Sequence, residues 1–384
     1  MIGFVAVGAV TFLPSRLRAG IERAGGRFLG REVRIAGTFD LSLSLTPTLL
    51  AEDVTLANAP WGSEPSMVRI ARVKVSLDLL SLRGRPARIT DLELEGVRIL
   101  LETDAGGGGN WEFETRLPPA PPRAPGVSTP PPVVFDHAVI RGLELIHRPR
   151  RDAPPLRLGI ARLEARLDPS TGMVDLDAAG HFNDAPWDVA GRVGTYEHLC
   201  QFRDVEHTLT GRIGNAKVTL RGRIRDPLSL GEPNLETELE GPDIAAALAV
   251  VGLRSPLSGP FRLQGRTSPS RKGIDFDLTA GLAGVAATAR GHVGALLKPE
   301  AIEARIEVSG PDARLPGKWT GVGNLPPRPF ALSGRVRRDG PRLWIDDAKV
   351  RVGGTSVAVK GALGEPPRCV GADLAVTASG TDLF

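Results

Sequence analysis

Cysteine is nearly absent from this 384-residue chain: Cys200 and Cys369 stand far apart, in no CxxC or other metal-ligand spacing. That excludes a structural zinc site, and the low count suits either a reducing compartment or a periplasm-like space where stability does not rest on disulfides. The six histidines (His137, His147, His181, His198, His207 and His292) form no HExxH clamp, and no GxSxG elbow or Walker loop occurs. Gly106 to Gly109 are followed by Asn110 rather than Lys-Ser/Thr, so they read as a turn and not as a phosphate cradle. Aromatics make up 5% of the chain, with one tyrosine, too few for the two girdles of an outer-membrane barrel. Charge of one sign is not in excess either. The net +4 is small beside 48 basic and 44 acidic residues, and seven lysines among the cations point to a composition bias toward arginine, not to a nucleic-acid surface. No cofactor is implied. An enzyme is disfavoured, because Asp175 and Asp177, which with Asp184 could suggest a carboxylate cluster for glycoside cleavage, fall on one strand face at alternate positions and read as solvated charges.

Long apolar runs are missing as well. Residues 1–13, MIGFVAVGAVTFL, are uncharged and mostly apolar, yet a helix needs about 20 such residues to cross the hydrocarbon core. No basic n-region or cleavage site marks a secretory signal. We read residues 1–14 as a truncated membrane anchor, with a buried element of the first domain as the alternative. Pro14-Ser15 and Gly30 are a helix start and stop, between which Leu17, Ile21, Ala24 and Phe28 recur at helical spacing. Arg16, Arg18, Arg23 and Arg27 spread over the rest of this short amphipathic helix, as a solvated face or as contacts to anionic headgroups.

From residue 31 the period is two. Arg34 to Leu45 alternate small or polar with apolar residues; Val54 and Leu56 repeat the pattern, as do Val73, Val75, Leu77 and Leu79 against Arg72, Lys74, Ser76 and Asp78. These are strands with one wet and one dry face. At Gly96 the apolar parity passes from Leu92 and Leu94 to Val97, Ile99 and Leu101, which predicts a bulge or tight turn there. No long helical pattern covers the dry face, so the sheet is expected to be antiparallel. Leu117 to Pro132 hold too many prolines for a backbone ladder, and 118–132 read as a stiff linker between a region at 15–117 and one at 133–384. Beyond it Val139, Leu143, Leu145, Leu156, Leu158, Ile160, Leu163 and Leu167 resume the alternation.

The carboxyl half repeats. The pattern P-[FW]-x-[LV]-x-G-R begins at Pro186, Pro260 and Pro329, intervals of 74 and 69 residues. Gly241-Pro242-Asp243 recurs as Gly310-Pro311-Asp312 and loosely as Gly380-Thr381-Asp382, after 69 and 70. Two markers with one period mean stacked supersecondary units. Each unit is expected to run strand, hairpin, strand, then a short helix such as 244–251 capped by Asp243. The third unit breaks off at Phe384, directly after its marker.

Residues 27–113 resemble the amino-terminal region of the AsmA family. The ordered pieces are Gly30-Arg31-Glu32-Val33-Arg34-Ile35-Ala36-Gly37, Leu45-Thr46-Pro47, Asp53 to Gly62 (DVTLANAPWG), Val73 to Leu80, Leu94-Glu95-Gly96 and Asn110-Trp111-Glu112-Phe113. The later repeats look like that family's carboxyl part. The resemblance implies no catalytic motif. It implies anchorage in the Gram-negative inner membrane with the bulk of the chain periplasmic, a role in outer-membrane assembly and in regulating protein targeting to membranes, and, as in related bridge-like proteins, phospholipid transport.

The expected fold is therefore mainly β: an elongated, curled antiparallel sheet, a β-groove, with a short amino-terminal helix and repeated β units of about 70 residues. Its dry floor would be Leu41, Leu43, Leu45, Val54, Leu56, Val73, Val75, Leu77, Leu92, Leu94, Val97, Ile99 and Leu101, which would take phospholipid acyl chains; the alternative is a closed sandwich core. Trp61 and Trp111 grip an acyl chain or pack over turns, and Asn58 and Asn110 satisfy turn backbones. Expected partners are lipid, the inner membrane and envelope proteins, with no nucleic acid. A scaffold of the envelope that carries no lipid is the alternative function.

Overall fold

In the computed structural model the described residues are 2–379, apart from 43, 45, 79, 82–86, 105, 114–132, 149–154, 184, 202, 228–230, 251–257, 295–300, 321–324, 340–341 and 365–372. The expected linker at 118–132, with Leu43, Leu45 and Asp184, lies outside them. The chain is mainly β and divides into two compact units, Met1–Ala190 and Gly191–Phe384.

Unit 1 opens with α1 (Ile2–Leu29), one continuous helix that runs through position 14, where the sequence pattern places a helix start. Ten strands follow: β1 (Val33–Ile35), β2 (Phe39–Ser42), β3 (Thr48–Ala57), β4 (Ser66–Asp78), β5 (Ala87–Glu102), β6 (Val133–Phe135), β7 (His137–Arg148), β8 (Leu156–Leu167), β9 (Met173–Phe182) and β10 (Ala185–Thr195), the last carrying the boundary between units. The helix packs on β1 and β2, where Gly25 lies against Val33 and the Ile35 N–H donates to Glu22 Oε1 at 2.8 Å.

Neighbouring strands pair antiparallel as expected, with one exception: β5 runs parallel to β6 and β7. A parallel step needs a crossover much longer than a hairpin turn. The 30 residues between Glu102 and Val133 supply that length.

The parity switch expected at Gly96 is real, and it crosses five strands. Asp53 on β3 lies opposite Ala71 on β4, then come Gly96 on β5, Gly142 on β7 and Ala161 on β8, because the pairs on either side (Glu52 with Arg72 and Val54 with Ile70, for example) skip one residue on both partners. Asp53, Gly96 and Gly142 take positive φ values of 53°, 61° and 69°. A Cβ at Gly96 would sit 2.8 Å from that of Ala71, so both the backbone conformation and the space call for glycine. We call this row the crease. Bulges close it at both ends. Three residues, 36–38, face two on β3, and Ala161 is the extra residue of β8 against β9, whose own alternation never switches.

Unit 2 contains α2 (Tyr196–Gln201), β11 (Val205–Ile213), β12 (Ala216–Asp226), β13 (Gly231–Gly241), α3 (Ile244–Val250), β14 (Phe261–Ser270), β15 (Gly273–Leu282), β16 (Val285–Val293), β17 (Ala301–Gly310), α4 (Arg314–Thr320), β18 (Phe330–Asp339), β19 (Arg342–Val352), β20 (Thr355–Leu363) and β21 (Asp373–Ser379). From β11 to β21 each strand pairs antiparallel with the next.

The expected repeat is present: strand β14, hairpin β15–β16, strand β17, helix α4. The longer first interval of the sequence marker falls where α2 replaces the two-residue turn that joins β14 to β15. Asp243 caps α3, its Oδ1 accepting from Ala245 N at 3.1 Å and from Gly259 N at 3.0 Å. Asp312 does the same for α4 through Arg314 N at 2.9 Å. The marker aromatics join successive units. Phe261 and Phe330 pair with Gly241 and Gly310, where a Cβ would come within 2.8 and 2.6 Å of the ring, and Phe330 packs with Val285 and Ala313 in a small closed core.

Candidate functional site

In unit 1 the crease keeps the apolar residues of each strand on one face although their sequence parity changes. Register then lines them up in rows across the strands. One row runs Phe39, Ala51, Val73, Leu94, Ile140, Leu163, Ala178. The row across the crease runs Ile35, Val54, Ile70, Val97, Leu143, Ile160. Two flanking rows begin at Leu41 and Val33 and contain Leu49, Val75 and Leu92, and Leu56, Val68 and Ile99.

Eleven of the thirteen expected floor residues are described, and ten of these, all but Leu101 at the strand end, form cross-strand pairs with apolar partners; Leu101 pairs with His147. The expectation omitted Val68 and Ile70, which precede the crease on β4, and the β7 and β8 positions from Ala138 to Ala165, which complete the rows. Val97 is 4% exposed, while Leu41, Val54, Leu56, Val73, Val75, Leu77, Leu92, Leu94, Ile99 and Leu101 are all half-buried. A second sheet packed about 10 Å above such a face would cover its centre almost fully.

The opposite face carries charge pairs. Lys74 Nζ donates to Glu93 Oε1 at 2.6 Å, Arg98 forks onto Glu64 at 2.5 and 3.0 Å, and Arg141 lies 3.4 Å from Glu93. The Lys74 hydrogen bond holds the Glu93 carboxyl below the ordinary range, and Arg98 does so for Glu64. Asp175 and Asp177 lie on exposed positions of β9, opposite Arg166 and Glu164.

The family-like pieces of sequence meet at one end of this sheet in a buried polar knot. Asn110, fully buried, donates from Nδ2 to Asn58 Oδ1 at 2.9 Å and to the Leu100 carbonyl at 2.8 Å, and its Oδ1 accepts from Glu102 N at 2.9 Å. Asn58 Nδ2 donates to the Glu64 carbonyl at 2.9 Å and to Glu102 Oε2 at 3.1 Å. Burial pushes the Glu102 carboxyl up, but donors on Ser63, Asn58 and Arg148 outweigh that and hold it below the ordinary range.

Asn58 and Asn110 thus serve turn backbones, as expected, and also each other. Arg31, just past α1, donates to the Asn110 carbonyl and stacks over Phe113 at 4.9 Å; burial lowers its pKa. This ties the helix end to the turn at Asn110, which its bond to Asn58 joins to the other turn. Trp111 meets His147 edge-on at 5.9 Å and is 40% exposed. An open cleft of about 750 Å³ lies between the helix end and these turns, lined by Arg31, Trp61, Asp104 and Phe113 among others.

Comparison with known proteins adds a family. Residues 2–133 match the model of the AsmA family. The chain is similar to the AsmA family protein YhjG of Escherichia coli (strain K12), 24% identical over 236 residues, which are 57% of this chain and 34% of that protein. The chain thus spans about a third of the length of the curated relative it matches. No solved structure matches.

Proposed function

We propose, from the premise that this is an AsmA-family chain with its family region at residues 2–133, that it offers a hydrophobic groove for phospholipid transport between membranes and so supports outer-membrane assembly. The reading places it at the Gram-negative inner membrane with its bulk in the periplasm, and gives it no catalytic step. Among the described residues no helix is long and apolar enough to cross a membrane. Anchorage therefore belongs to the proposal.

One observation carries the reading: four rows of apolar side chains lie on one face of unit 1, and most of them stay half-buried instead of being sealed, Ile35, Ala51, Val97 and Ala178 being the buried ones. Acyl chains match that surface chemically. At about 0.8 kcal/mol per CH₂, a lipid with two chains of ~16 carbons would lose roughly 25 kcal/mol on full exposure to water. A face that shields the tails removes most of that barrier, and rows of similar residues offer successive positions of nearly equal burial. Sliding needs no deep trap. Supply and removal at the ends then set direction.

The test is photocrosslinking of phospholipid to the full chain. Val75→Asp with Leu94→Asp is expected to abolish crosslinks while circular dichroism stays β-rich; unchanged crosslinking overturns the groove. Native mass spectrometry of detergent-free protein separates this reading from a scaffold without cargo, since the carrier retains phospholipid.

A further inference from the structure

On the wet face of unit 2 one register row alternates in charge from strand to strand and then stops alternating. It runs through Arg221, Glu236, Arg266 and Asp277 on β12 to β15, then Arg290, Arg305 and Arg335 on β16 to β18. Residues directly opposite on antiparallel strands hold their Cβ atoms about 4.5–5.5 Å apart, where unlike charges attract and like charges destabilise the pair. As far as Arg290 the row obeys that rule: Arg266 Nε lies 3.2 Å from Glu236 Oε1, and Arg290 Nε lies 2.9 Å from Asp277 Oδ2. On β17 the alternation calls for an acid. The residue there is Arg305, with an arginine opposite it on each side.

Arg290, Arg305 and Arg335 are all exposed. Asp277 meets Arg290 from β15, the side away from Arg305, and Asp347 accepts the backbone N–H of Arg335 at 3.1 Å. Glu303 and Glu307, the acids flanking Arg305 on its own strand face, lie opposite other residues: His292 and Arg337 for the first, Thr288 and Ser333 for the second. Among the described residues Arg305 itself has no ion pair.

The repeat supplies an internal reference. Arg221, Glu236 and Arg266 precede Arg290, Arg305 and Arg335 by 69 residues each. In the earlier unit an acid thus stands between two arginines, and the chain balances the triplet by itself. Arginine in the acid's place raises the charge of the triplet from +1 to +3. A phosphate monoester carries about −1.5 to −2 at pH 7, close to the charge exchanged, and its three acceptor oxygens suit guanidinium forks.

We infer that Arg290, Arg305 and Arg335 form a binding site for a phosphate group, inorganic or as a monoester, with Arg305 at its centre. The inference does not depend on lipid carriage, because these side chains stand on the wet face of their strands.

The probe is inorganic phosphate, titrated into the full chain at constant ionic strength and followed by calorimetry and by the unfolding midpoint. One phosphate is expected to bind per chain and to raise the midpoint. Arg305→Glu restores the alternation; it is expected to weaken binding by about tenfold or more and, without phosphate, to raise the midpoint. Lost binding together with gained stability distinguishes a vacated site from a misfolded variant. Glu236→Arg is expected to add a second site of the same kind in the earlier unit, giving two phosphates per chain. Competition with phosphatidylcholine vesicles that contain phosphatidate identifies the source: displacement of inorganic phosphate assigns the site to a lipid headgroup, and failure to displace it assigns the site to a soluble phosphate ester. Undiminished phosphate binding by Arg305→Glu overturns the proposal. So does an equal rise in midpoint from chloride at the same ionic strength.

Discussion

The two units keep a one-sided sheet in different ways. In unit 1 the dry face is densely aliphatic, and its widest irregularity, the crease, crosses five strands at once. In unit 2 the dry face is thinned at fixed intervals: Gly222, Gly291 and Gly361 recur after 69 and 70 residues, and a Cβ on any of them would lie 2.0 Å from a carbonyl oxygen of the following strand. There the row Leu220, Thr237, Gly265, Leu278, Ala289, Ile306, Gly334 interleaves large and small residues. An irregularity shared by several neighbouring strands of a sheet makes them depend on one another. One confined to each repeat makes the repeats interchangeable.

The sharpest way to break this contrast is Gly222→Val. The new side chain meets backbone that cannot move aside, and the expected loss is about 4 kcal/mol or more. Amide exchange is expected to rise around β11–β13 and leave β15–β17 protected, as nearest-neighbour stability of repeats requires. Gly96→Val in unit 1 combines a strained φ with the Ala71 contact, for about 3 kcal/mol. Its exchange is expected to rise on β3, β4, β7 and β8 together. A confined response would mean that the crease is five separate accidents.

For cargo, Leu94→Asp removes apolar contact worth about 2 kcal/mol, or roughly thirtyfold in lipid occupancy. Leu278→Asp is expected to cost less, because its row already holds glycines, and the ratio of crosslink yields measures the difference.

Glu102→Gln leaves a buried donor against Ser63 N–H and is expected to cost about 1–3 kcal/mol near neutral pH. The folded carboxyl titrates below its unfolded value, so this stabilisation is present above the ordinary carboxylate range of about 4.3 and is lost as pH falls through the depressed folded value. Urea midpoints of the two proteins should therefore converge in acid. The smallest effect is Asp312→Ala, about 1 kcal/mol for one helix cap, read as local exchange at α4.

Much of this was legible in the sequence. Alternation located the strands, two markers exposed the repeat, and the parity change of Leu92 and Leu94 against Val97 and Ile99 located the crease on β5. Its extent across the sheet was not legible, because the matching switches at Asp53, Ala71 and Gly142 acquire meaning only through pairing register. The parallel step of β5 with β7 was hidden for a related reason: hydrophobic period describes a strand's faces and says nothing about its direction. Leu49, Val68 and Ile70 escaped the floor list because they lie beyond a switch or beside a turn. Gly222, Gly291 and Gly361 were lost among 46 glycines, having no distinctive neighbour to mark them.

The crease also restricts how unit 1 can change over time. Dropping a single residue from β4 or β5 near it would put half of that strand out of frame with both neighbours, exposing leucines on the charged side and burying arginines on the oily one. Lone deletions there should be eliminated, and the sheet should lengthen or shorten only at strand tips. The tandem modules of unit 2 face no such rule, since a block of about seventy residues can be gained or removed with its frame intact.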